Sequence, residues 1–199
     1  MRPVQKIREA RAELVTTAFV ASGIPAGAHD LGRFLEMLNN PALSRHIELH
    51  APSVRPLYHA SAHVDLDAPL LVKREDIIFA TFDGPNFAPA QEPRRSVPVL
   101  LMAPPFQICG IVELQPGADA TQALRAALPA FFAVRAAQVL DADGVALGEG
   151  EQIIVNAAAV QMRSATRRRI EAPALPETTV RVEKTQDAQE ATKGASRAA

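Results

Sequence analysis

This 199-residue chain has little of what usually announces a function. It has one cysteine, Cys109, so no internal disulfide can form. It has no tryptophan and one tyrosine beside eight phenylalanines, which leaves few rings to stack on nucleic-acid bases. No apolar stretch approaches the ~20 residues that span a bilayer as a helix. Neither sign of charge dominates: 21 basic and 22 acidic residues leave a net charge of −1. A chain-wide electrostatic footprint for nucleic acid is therefore not expected. There is no glycine-rich phosphate loop, and G-x-S-x-G, H-E-x-x-H and C-x-x-C are all missing. These absences count against the motif-bearing classes of enzyme.

What is present is a globular composition, 48% hydrophobic and 22% charged, and a pattern that occurs twice. Phe19-Val20-Ala21-Ser22-Gly23-Ile24 matches Phe106-Gln107-Ile108-Cys109-Gly110-Ile111 as F-x-x-x-G-I. Asp30 and Asp119 follow, then apolar stretches with Leu35 and Leu38 or Leu124 and Leu128, then Pro41-Ala42 or Pro129-Ala130. Leu49-His50-Ala51-Pro52-Ser53-Val54 lines up with Val134-Arg135-Ala136-Ala137-Gln138-Val139. Leu70-Leu71-Val72-Lys73 lines up with Ile153-Ile154-Val155-Asn156, and Ile77 with Val160. A period this long is not that of a solenoid. It predicts two copies of one small domain.

The expected organisation is a lead at 1–11, a first copy at 12–82, a linker at 83–96, a second copy at 97–165 and a disordered tail at 166–199. The linker holds Gly84, Pro85, Pro89 and Pro93, which interrupt regular structure. The tail has almost no large apolar side chains whose burial could offset its ordering entropy. Arg2, Lys6, Arg8 and Arg11 before the apolar run to Ala28 have some features of a secretory signal. Glu9, Glu13 and the recurrence of F-x-x-x-G-I favour a first strand instead.

Within the first copy, Leu14–Ile24 reads as a strand. Leu31, Phe34, Leu35 and Leu38 share one helical face behind Asp30, a good N-cap, and Asn39-Asn40-Pro41 ends the helix. His46–Leu49, Leu57–Leu66 and Pro69–Phe82 read as strands, the last kinked at Lys73-Arg74-Glu75-Asp76. In the second copy Asp119–Leu128 is the shorter helix, and Asp141-Ala142-Asp143-Gly144 is a hairpin turn. The expected fold class is α+β: two tandem copies of a small antiparallel sheet or partly open barrel of four or five strands, each with one helix.

The stretch Leu70-Leu71-Val72-Lys73-Arg74-Glu75-Asp76-Ile77-Ile78 resembles the closing strands of Sm-like barrels. The whole copy is similar to an uncharacterised bacterial family of small domains. That family has a strand, a helix, a strand of the pattern ΦxΦxxA and a final strand of the pattern ΦΦVxxxxI, where Φ is apolar. The resemblance implies a fold and no activity. A full helix between the first two strands departs from the Sm pattern, so ring assembly and RNA binding are not implied.

All five histidines lie between residues 29 and 63. His46 and His50, and His59 and His63, stand four apart, which chelates on a helix but separates the rings by about 13 Å on a strand. With Asp65 and Asp67 they are the candidate metal ligands, and a metal-dependent enzyme centred on them is one alternative. Arg167, Arg168 and Arg169 form the basic cluster, the candidate nucleic-acid contact of a second alternative, an adaptor built on small barrels. Cys109 has no histidine in its own copy to act as a base, so it reads as a structural thiol. The leading expectation is a cytoplasmic, non-catalytic scaffold or protein-interaction protein. It needs no catalytic residue or cofactor, and it binds a protein partner or itself.

Overall fold

The computed structural model describes residues 9–43, 45–58, 62–85 and 94–165. The expected lead, the centre of the linker at 86–93, and the tail with Arg167, Arg168 and Arg169 lie wholly or largely outside those residues.

The described residues open with a hairpin of β1 (Arg11–Thr16) and β2 (Phe19–Pro25), where one continuous strand was expected. The turn is built by a side chain. Thr16, buried, donates its hydroxyl to the Phe19 carbonyl at 2.9 Å and accepts from the Ala18 and Phe19 amides. Asp30 then caps α1 (Leu31–Asn39), its carboxylate accepting from the Arg33 amide at 2.8 Å. Phe34 and Leu38 on the helix are fully buried. After β3 (His46–Pro56), the described part of the expected strand over Leu57–Leu66 holds a turn at Leu57-Tyr58 and the two-residue β4 (Val64–Asp65). β5 (Leu70–Lys73) and β6 (Ile77–Asp83) are joined by the 3-10 turn Arg74–Asp76.

The second half repeats the order. β7 (Arg95–Ala103) and β8 (Phe106–Leu114) form a hairpin. A three-residue helical turn, α2 (Ala120–Gln122), runs into a wider π-type turn at Ala123–Ala127. β9 (Phe131–Leu140) and β10 (Ala146–Asn156) pair across the Asp141–Gly144 turn, where the Asp141 carboxylate accepts from the Asp143 and Val145 amides. β11 (Met162–Ala165) follows.

The expectation of two tandem small α+β domains, each with its own helix, is overturned. Among the described residues the strands form one antiparallel sheet of eleven, in the order β11-β7-β8-β9-β10-β6-β1-β2-β3-β4, with β5 also paired to β3. The joint is β6 against β10, with Ala80 opposite Ile154 and Phe79 opposite Val155. Among the described residues α1 is the longest regular α-helix, and its counterpart in the second half is mostly π-wound. Side chains as well as backbone cross the joint. Val15, Val20, Ile78 and Phe79 belong to the apolar cluster made mostly of C-terminal residues. Phe131 and Ile154 belong to the one made mostly of N-terminal residues. The adjacent Phe131 and Phe132 thus fill different clusters, and both are buried.

The sheet is not flat. β5 and β6 lie at opposite ends of the run β5-β3-β2-β1-β6. Four strand spacings of about 4.8 Å would put them roughly 19 Å apart in a flat sheet. A three-residue turn spans at most about 14 Å, so this part of the sheet must curl.

Candidate interaction surface

The repeated G-I motif is explained by a repeated bulge. Ala51 in β3 and Ala136 in β9 both have φ of 44°, in the left-handed region. The neighbouring strand shifts register at the same place, between Ser22 and Ile24 and between Cys109 and Ile111. The bulge pushes backbone toward its neighbour. A Cβ on Gly23 would stand 2.9 Å from the His50 carbonyl oxygen, and one on Gly110 2.8 Å from that of Arg135. Only glycine fits there.

Beside the Ala136 bulge is an open notch of about 290 Å³ lined by Ser96, Ile111, Glu113, Arg135, Ala136 and Glu151. Sequence reasoning did not single it out. Ser96 donates to Glu113 at 3.0 Å, and the Arg135 guanidinium stands 3.4 Å from the same oxygen. The groups satisfy one another on a shallow surface.

The histidine and aspartate candidates are dispersed. His46 and His50 lie on β3, with His50 Nε2 3.6 Å from Glu48. His63 and Asp67 are exposed on either side of β4, which carries Asp65 opposite Ser53. His59 is outside the described residues. Outside the set, His29 pairs with Asp30 at 3.1 Å. Among the described residues no three histidine, cysteine or acidic side chains come together to hold an ion. Cys109 is buried in β8, between Leu100 of β7 and Gln138 of β9, and burial pushes its thiol pKa up. A thiol held neutral in this way is a poor nucleophile.

The more distinctive surface is at the sheet's ends. Among the described residues, β5 pairs only with β3 and β11 only with β7, so each has an open edge. Leu71 on β5 is 60% exposed and Met162 on β11 is 49% exposed. Val64 and Leu66, at and after β4, are exposed near the first edge. Sequence offered one signal for this. Leu70-Leu71-Val72 is a continuous apolar run, as in a strand covered on both faces, yet only Val72 is buried.

No family model, curated protein or solved structure matches the chain. Among the described residues, no helix is long and apolar enough to cross a membrane.

Proposed function

We propose that the protein is a non-catalytic protein-interaction module whose working surfaces are the two open ends of its sheet. The observation that carries this reading is the coincidence, among the described residues, of strand edges that no other strand covers with exposed apolar side chains, Leu71 at one end and Met162 at the other. An open edge offers a row of backbone donors and acceptors to an incoming strand, and an apolar side chain beside it adds desolvation energy. The polar candidates support the same reading: they are spread over the surface or tied to one another, as in the Ser96, Glu113 and Arg135 group.

The test is quantitative capture on immobilised chain from a lysate of the source cells. The comparison is a Leu71→Lys, Met162→Lys double variant. Defined proteins, further copies of the chain included, should be retained by the native protein and released by the variant. Equal retention by both, or none by either, would overturn the reading.

A further inference from the structure

The joint inside the sheet shows what the open edges are shaped to accept. β6 pairs with β1 and β11 pairs with β7, each as the strand that follows a short turn. Val15 faces Phe79 in the first pair and Met102 faces Met162 in the second. β5 pairs with β3 as the end of β10 pairs with β9: Leu71 faces Glu48, and Ile154 faces Ala133. With Gly23 and Gly110 as common origin, Met162 stands where Phe79 stands, and Leu71 stands where Ile154 stands.

Phe79 and Ile154 are among the side chains that cross the joint. Phe79 reaches into the C-terminal cluster and is 7% exposed, and Ile154 reaches into the N-terminal cluster and is 1% exposed. Their counterparts Met162 and Leu71 are large, apolar and uncovered. The neighbours follow the same rule. Val20 and Ile78 are buried in the C-terminal cluster, and their counterparts Gln107 and Gln161 are not buried. The open edges are thus the two halves of a joint the molecule has already made once.

We infer that a second copy of this chain occupies these edges, with β11 of one molecule pairing antiparallel to β5 of the next. This deepens the interaction reading and rests on it. The register of the internal joint carries over. Val72 should lie opposite Met162 of the neighbour, and Leu71 opposite its Arg163, as Val155 lies opposite Phe79 and Ile154 opposite Ala80. The two surfaces differ, so the contact is heterologous and propagates to a closed ring or a filament. It is weaker than the internal joint. There Asn39 accepts from the Phe131 amide at 2.8 Å and donates to its carbonyl. Leu128, which stands as far beyond the Asp119 cap as Asn39 stands beyond Asp30, has no polar side chain with which to repeat this.

The experiment is sedimentation of the full chain over a wide concentration range, with Leu71→Lys and Met162→Lys variants measured alone and mixed. The native chain should gain mass beyond a dimer as concentration rises. Each variant alone should be monomeric, with an unchanged circular dichroism spectrum because both sites are exposed. Each variant keeps the edge that the other lacks, so the mixture should give a one-to-one dimer. If either lysine unfolds the chain, Leu71→Asn and Met162→Gln replace them. A native chain that stays monomeric, a single variant that still dimerises, or a mixture that stays monomeric would sink self-pairing. Capture of a different protein, lost in the double variant, by a monomeric native chain would leave the interaction reading standing without it.

Discussion

Ala51 and Ala136 hold the left-handed backbone at φ 44° without being glycine, a conformation that costs an L-residue roughly 1–2 kcal/mol. Ala136→Gly should relieve that strain. The greater freedom of glycine in the unfolded chain takes back about 0.4–1 kcal/mol, so urea titration should show a small net gain. Gly110→Ala acts the other way, because its Cβ would press on the Arg135 carbonyl oxygen. A loss of about 1–3 kcal/mol is expected, with a similar loss for Gly23→Ala. Cys109 gives a pH dependence. Burial raises its pKa in the folded chain, so the native state holds the thiol proton to higher pH than the unfolded state does. Its contribution is constant below the unfolded thiol pKa of about 8.5 and is lost as pH rises from there through the folded value. Urea midpoints at pH 7 and pH 10 should therefore fall further apart in the native chain than in Cys109→Ala. Equal falls would show that the thiol is not protected.

At the scale of elements, two amide side chains tie the halves together: buried Asn156 of β10 donates to the Ile77 carbonyl at 2.8 Å, and Asn39 at the end of α1 reaches β9. Asn39 bonds both backbone groups of Phe131 and the Leu35 carbonyl. Asn39→Ala leaves partly buried Phe131 groups without those partners, at a cost of about 1–3 kcal/mol for a group so stranded. Asp30→Ala removes one cap bond and should cost about 1 kcal/mol. Thermal or urea melts of the two variants should rank in that order, and the reverse ranking would show that the helix contributes more by itself than by its tether. What was legible in the sequence follows from range. The Asp30 cap, the Asp141–Gly144 turn and the break at Arg74–Asp76 depend on residues close along the chain, so their signals are local; the G-I motif was visible only because it recurs, its cause being a bulge on the neighbouring strand. The turn at Thr16 was missed because a threonine side chain shapes it where glycine, proline or asparagine usually does. The second helix was read over nearly its full span, but its winding was not: Asp119 caps it, and after Ala120–Gln122 the alanine-rich stretch, which buries only Ala123 and Leu124 among its described side chains, winds as a π-type turn.

At the scale of the molecule, the sheet order was not legible, because β6 against β10 unites distant segments and leaves no local mark. The histidine spacing could not make a site for a related reason. It gathers ligands on a helix, whereas His46 and His50 lie on a strand. The shared clusters have a consequence for unfolding. Phe79, Phe131 and Ile154 each stand in one half of the chain and fill the other half's apolar cluster. If one half unfolded alone, the other would lose part of its own interior, so the described residues should melt as one cooperative unit. Ile154→Ala should cost about 2–5 kcal/mol and Phe79→Ala about 3–5 kcal/mol, as large-to-small changes at buried sites do. In both variants the whole transition should move. Hydrogen exchange on the native chain can test this strand by strand: amides of β2 and β8, one from each half, should exchange with the same opening free energy, and that energy should fall equally in both when Ile154 is cut to alanine. A fall confined to β2 would mean that the halves open separately and that the joint contributes contact without cooperativity.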